Sequence, residues 1–247
     1  MLKRKIGVAA VLAVLTAGAF AASASAQCPP LGSPSSPMIN FDANAFAYET
    51  NYNPVGFNSS AGSNLTIVGI IDQFQSPLAF LTPSDPTKEY TFVISGLVSV
   101  GTVATPSGPT TFYTTNYNGG AFAIYEGSPE NAPLAGAMPL PGGPAVPGYF
   151  QDGTALLTGQ LCGFTTSVSQ TGSLQPNGSF VARYHFTGGT LFAAMGNAEA
   201  NFSGNWCVRV GGCTPTGYSA HPNGKWDSPP STAATRATWG KLKSLYR

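Results

Sequence analysis

Apolar and polar residues alternate along most of this chain. Within 89–103, Tyr90, Phe92, Ile94, Val98 and Val100 fall on one face, and Thr91, Ser95 and Ser99 on the other. Phe180, Ala182, Tyr184 and Phe186 share a face opposite Ser179, Arg183 and His185. Phe202, Trp206, Val208 and Val210 share another, opposite Asn201, Ser203, Asn205 and Arg209. A period of two is that of a strand with one side buried. Shorter runs predict strands at 65–71, 111–117, 121–125, 155–164 and 190–194. Gly96, inside the first run, marks a bulge or bend. Asn118-Gly119 predicts a tight hairpin between 111–117 and 121–125, because this pair accepts the positive φ angles such a turn needs. About eight antiparallel strands punctuated by Gly and Pro predict an all-β fold. An antiparallel β-sandwich, jelly-roll-like, is the first expectation and a closed β-barrel the second.

The alternation fails in three places. At the start, Lys3, Arg4 and Lys5 precede an apolar run from Ile6 to about Ala22, and Ala24-Ser25-Ala26 follows. A charged n-region, an apolar h-region and a small-x-small site make 1–26 a secretory signal peptide. The run is short for a bilayer span of ~20 residues. The mature chain is then expected to begin at Gln27 and to work outside the cytoplasm, secreted or at the cell surface. The short n-region and Ala-rich h-region look bacterial.

The second failure is 127–148, which holds Pro129, Pro133, Pro139, Pro141, Pro144 and Pro147. Proline lacks the amide a ladder requires, so this is a long loop within a β-domain spanning 27–227. The third is 228–247. A Pro/Ser/Thr linker there leads to a short basic tail in which Trp239, Leu242, Leu245 and Tyr246 would share one helical face. These four are candidates for docking the tail.

Charged residues make up only 9% of the chain, against about 25% in an average domain. Between 27 and 235 lie four basic and ten acidic residues, a net of −6. The last twelve residues carry four basic groups and no acid. The acidic body argues against nucleic acid as a partner, since phosphate binding needs clustered positive charge. Cys28, Cys162, Cys207 and Cys213 form an even set in an exported chain, which predicts two disulfides. Cys207–Cys213 and Cys28–Cys162 are the favoured pairs among the three connectivities. The spacing lacks a C-x-x-C pair and a nearby His, so zinc is not indicated. No cofactor or metal is called for.

Catalytic chemistry leaves little trace. The histidines are His185 and His221, and no Gly-x-Ser-x-Gly elbow occurs. Ten carboxylates are scattered, with no pair marked as a glycosidase acid and base. No EF-hand loop appears. Loop aromatics are the remaining resource: Tyr113, Tyr117, Tyr218 and Trp226 are candidate rings for stacking on a sugar.

The stretch Asp152-Gly153-Thr154-Ala155-Leu156-Leu157-Thr158-Gly159, with Gly178-Ser179-Phe180 and Thr187-Gly188-Gly189-Thr190-Leu191-Phe192, is similar to repeating elements in uncharacterised exported bacterial β-proteins. Those carry C-terminal sorting tails, which Trp-Gly-Lys-Leu-Lys-Ser-Leu-Tyr-Arg resembles. The resemblance implies a surface or matrix protein without enzymatic activity. The expectation is therefore a secreted, non-catalytic β-protein with a structural or adhesive role. Its partners would be a cell surface or polysaccharide, or another copy paired through strand edges. A carbohydrate-binding module is the alternative, and a secreted hydrolase the further one.

Overall fold

The computed structural model describes residues 36–42, 44–133, 147–195, 199–209 and 212–228. The segment 1–26 expected as a signal peptide, Cys28 and the tail residues Trp239, Leu242, Leu245 and Tyr246 lie outside them. So does the middle of the Pro-rich loop, 134–146.

Twelve strands form among the described residues: β1 (Pro37–Phe41), β2 (Ala45–Glu49), β3 (Tyr52–Asn53), β4 (Asn58–Ser59), β5 (Asn64–Ile70), β6 (Gln73–Phe74), β7 (Glu89–Ser107), β8 (Thr110–Gly127), β9 (Thr154–Thr171), β10 (Asn177–Gly188), β11 (Glu199–Cys207) and β12 (His221–Asp227). Ten belong to one antiparallel sheet, in the order β2-β5-β7-β8-β9-β10-β11-β12-β1-β6. From β7 to β12 each strand pairs with the next in sequence. The sheet curls into a half-barrel. Its two ends are drawn together by β6, which continues from β5 yet pairs with β1, and by an isolated bridge between Ala47 and Ala220.

The inward side is filled by rings. Trp226, fully buried, touches Phe202 at 4.4 Å, Phe92 at 4.8 Å and Phe41 at 5.1 Å between centroids. Phe164, Phe180 and Trp206 extend the stack toward one end, and Phe122, Tyr184 and Phe186 toward the other. Phe92, Phe180, Tyr184, Phe186, Phe202 and Trp206 are residues that the alternation placed on buried faces, so there the periodicity translates directly into the core; Trp226, expected as an accessible ring, is instead at its centre. A second, smaller cluster lies on the opposite face of β2, β5 and β7. There Phe46, Val68 and Val93 are covered by Phe150 and Tyr218.

Three expectations need correction. Asn118-Gly119 is not a turn. β8 runs straight through it, and Leu97 pairs with Gly119. The chain reverses instead at Gly108, between β7 and β8. Gly119 (φ 74°) and Gly96 (φ 74°) form facing bends, and a Cβ on Gly119 would lie 2.8 Å from the Gly96 carbonyl oxygen. The positive φ thus serves a bulge within two long strands rather than a hairpin. That bulge also shifts the facing of β7. Beyond Gly96, Leu97 and Ser99 point inward, while Val98 and Val100 are 38% and 48% exposed. Finally, 190–194 is not a strand: the chain leaves β10 through Gly189 (φ 102°) and forms a short helix, Phe192–Met195.

Cys207 and Cys213 are bonded, with their Cα atoms 6.2 Å apart, as the spacing predicts. Cys162 is not a free thiol. No helix among the described residues is long and apolar enough to cross a membrane.

Candidate functional site

The four candidate stacking rings do not meet in one exposed strip. Trp226 is fully buried at the centre of the core, and Tyr117 and Tyr218 are 4% and 5% exposed. Tyr113 is half-buried, edge-on to Phe57 at 5.6 Å. The reason is their register. Tyr113 and Tyr117 lie on the inward face of β8, Trp226 on that of β12, and Tyr218 caps the second cluster against Phe46 at 5.5 Å. Trp226, Tyr117 and Tyr218 are covered by protein, and Tyr113 partly so.

Tyr117 does join a polar knot that the sequence did not mark. Ala45, Ala47 and Glu49 alternate inward on β2, so Glu49 enters the end of the half-barrel beside alanines. The bulky Phe46 and Tyr48 on the same strand point the other way, which disguises this. The Glu49 carboxylate accepts hydrogen bonds from the Tyr117 hydroxyl at 3.0 Å and from the Ser59 hydroxyl. The Glu49 amide donates to Ser219 Oγ at 2.8 Å. Burial raises the Glu49 pKa, and the two hydrogen bonds oppose that rise. Burial, with the charge of Glu49, pushes both Tyr52 and Tyr117 well up. A serine against a carboxylate resembles part of a hydrolytic site, but Ser59 and Glu49 are each 4% exposed. The knot is shut against solvent and works as a polar plug.

The histidines are placed just as firmly. His221 stacks on Phe46 at 5.6 Å, and its Nε2 lies 3.1 Å from the Asp42 carbonyl oxygen. His185 pairs with Glu199 across β10 and β11, and Glu199 is bound by Arg183.

The outward face is the accessible resource. Cross-strand pairing sets Asn116, Thr165, Val181, Ser203, Lys225, Asn40 and Gln73 in one row across seven strands. A parallel row holds Thr114, Ser167, Ser179, Asn205 and Asn223. Neighbouring groups repeat at the strand spacing of about 4.8 Å. Along the rows, Thr165 donates to Asn116 at 2.8 Å and Asn40 to Gln73 at 3.0 Å. Both rows run into an open groove of about 390 Å³ walled by Asn40, Asp42, Ser203, Asn205, Asn223 and Lys225. The backbone of Gly204 and Gly224 lies along its floor. A Cβ on Gly204 would stand 2.0 Å from the Asn223 carbonyl oxygen, so glycine is required for β11 and β12 to approach this closely. Asn223 donates to Asp42 at 3.0 Å, and Lys225 pairs with Asp227 at 2.9 Å. The groove offers amides, the Ser203 hydroxyl, the Asp42 carboxylate and the Lys225 ammonium, a set able to hydrogen-bond a polyhydroxylated ligand.

Among the described residues, no three His, Cys, Asp or Glu side chains converge as ligands for a metal. Comparison with family models, with curated proteins and with solved structures gives no match.

Proposed function

We propose that this chain is a secreted, non-catalytic β-protein with an adhesive role, and that the outward Ser/Thr/Asn face of β8 to β12 and β1 is its working surface. The partner is a hydroxyl-rich polysaccharide, at a cell surface or in a matrix. One observation carries this reading: the two rows of polar side chains, the first interrupted at Val181, that lead into the Asn40–Asn205–Asn223 groove. Side-chain amides and hydroxyls both donate and accept, which matches sugar hydroxyls. An interior filled with interlocking rings leaves the outside as the place for a ligand. We read the curl as an up-and-down barrel rather than a jelly-roll sandwich, because β7 to β12 pair in strict sequence order and the two sheet ends are tied at Ala47–Ala220.

The test is retention on insoluble polysaccharides, comparing the parent chain with the double variant Ser203→Ala, Asn205→Ala. Both side chains point outward, so the melting temperature stays unchanged while retention falls several-fold. Equal retention by the two proteins would remove the groove from the reading.

A further inference from the structure

The two ends of the Pro-rich loop return to one place at the start of β7. Glu89 opens that strand, Gly127 closes β8, and Asp152 follows the 3-10 turn Pro147–Phe150. The two acids are bonded alike. Glu89 Oε2 accepts from the Ala132 amide at 3.0 Å, and Asp152 Oδ2 accepts from the Asn131 side-chain amide at 2.6 Å. Their other oxygens, Glu89 Oε1 and Asp152 Oδ1, are both buried and neither has a hydrogen-bond partner. Glu89 as a whole is only 6% exposed.

Those two unpartnered oxygens face the same space. A Cβ on Gly127 would lie 3.3 Å from Glu89 Oε1 and 3.3 Å from Asp152 Oδ1. Glycine at 127 keeps that point open. Glu89 and Glu130 also line a cleft of about 370 Å³ with Tyr90 and Asn131. The nearby cation, Lys88, has its ammonium 3.0 Å from Glu126. Two buried carboxyl oxygens aimed at one point, neither with a hydrogen-bond partner, are unfavourable unless a proton or a cation sits between them.

We propose that Glu89 and Asp152 bind a calcium ion over Gly127, which fastens both ends of the Pro-rich loop to β7. Calcium suits the site because it takes oxygen ligands only, in a flexible geometry that water and main-chain oxygens complete. Two acids, instead of the three or more of a tight site, place the affinity near that of extracellular modules, at about 0.1–1 mM. Phe150 is seated in the second cluster, and Thr91 donates to its carbonyl oxygen at 3.0 Å, so Asp152 is held in place before the ion arrives.

The experiment uses the full chain freed of metal with chelator. Thermal unfolding is followed with and without about 1 mM calcium, a concentration set by that affinity range. Terbium luminescence excited through Tyr90 gives an independent readout. The expected result is a higher melting temperature with calcium, and a terbium signal that calcium displaces. Glu89→Gln and Asp152→Asn weaken both responses more than about tenfold, because ligand charge sets affinity. Glu126→Gln, which alters the neighbouring Lys88 ion pair and the Tyr90 hydroxyl bond but neither ligand, leaves the calcium-induced rise in melting temperature intact. Without calcium, Glu89→Gln melts no lower than the parent, since it removes a buried unpaired charge. An absence of calcium response in the parent chain would overturn the proposal and favour a proton shared by the two acids. So would responses in the two variants as strong as the parent's, or a lower calcium-free melting temperature for Glu89→Gln.

Discussion

Trp226→Ala separates the two roles open to this ring. Were Trp226 a sugar-stacking residue, its loss would weaken binding and leave the fold alone. Its burial says otherwise: the ring is fully enclosed by Phe41, Phe92, Phe122 and Phe202. Removing a large ring from a packed core costs about 3–5 kcal/mol through lost transfer energy and the cavity left behind. One term opposes this. The indole Nε1 is buried without a partner, and deleting an unsatisfied donor relieves about 1 kcal/mol. The net loss is about 2–4 kcal/mol. For a domain of this size each kcal/mol lowers the melting temperature by about 2–4 °C, so the expected drop is about 4–16 °C. Trp226→Phe keeps most of the ring contacts and removes the orphan donor, so it stays within about 1 kcal/mol of the parent. Differential scanning calorimetry of the three proteins reads both values. A Trp226→Ala protein that melts with the parent but has lost polysaccharide retention would refute the reasoning and put the ring at the surface.

Other consequences follow from the same geometry. Burial raises the Glu49 pKa, so the folded state keeps this proton at pH values where the unfolded chain has released it. Its contribution to stability is therefore full below the unfolded value near 4.5, and is lost as pH rises through the folded value. Glu49→Gln removes that loss. The stability difference between variant and parent, from urea titrations across pH, grows in the variant's favour as pH rises, and a flat difference would count against the buried carboxylate. Gly119→Ala forces a Cβ into a φ of 74° and against the Gly96 carbonyl, at a cost of about 1–3 kcal/mol visible as a lower urea midpoint. An unchanged midpoint would mean that β7 and β8 do not bend together there. Cys207→Ser with Cys213→Ser opens the short loop after β11, and the chain-entropy model gives a loss of about 2 kcal/mol. Thermal unfolding under non-reducing conditions checks it, and no loss would show the loop to be held by its hydrogen bonds alone, such as Thr214 to the Cys207 carbonyl at 2.8 Å.

The sequence by itself determined the class of fold and most of the core. Phe180, Tyr184, Phe186, Phe202 and Trp206 lie inside because a strand with one wet face must alternate, and that alternation is written in consecutive residues. The Cys207–Cys213 pair was legible for the same reason, since six residues of chain leave the two thiols close. Other features depended on which strands become neighbours. Asn118-Gly119 has the composition of a turn, yet it became a bend because Gly96 stands opposite it, a fact no local pattern contains. Glu49 was unreadable, since it is buried only once Tyr117 of β8 and Ser59 of β4 close over it, and Phe46 and Tyr48 advertise the wrong face. The curl of the sheet decided the site as well. Ser203 and Asn205 were legible as outward positions, but only the register across β10, β11, β12 and β1 sets them beside Asn223 and Asn40 as a groove. Glu89 and Asp152 are 63 residues apart in the chain, and only the paired ends of β7 and β8 bring their unpartnered oxygens to one point. Short-range sterics and alternation are encoded locally, whereas the meeting of distant polar groups is fixed by strand pairing and is therefore a property of the folded sheet.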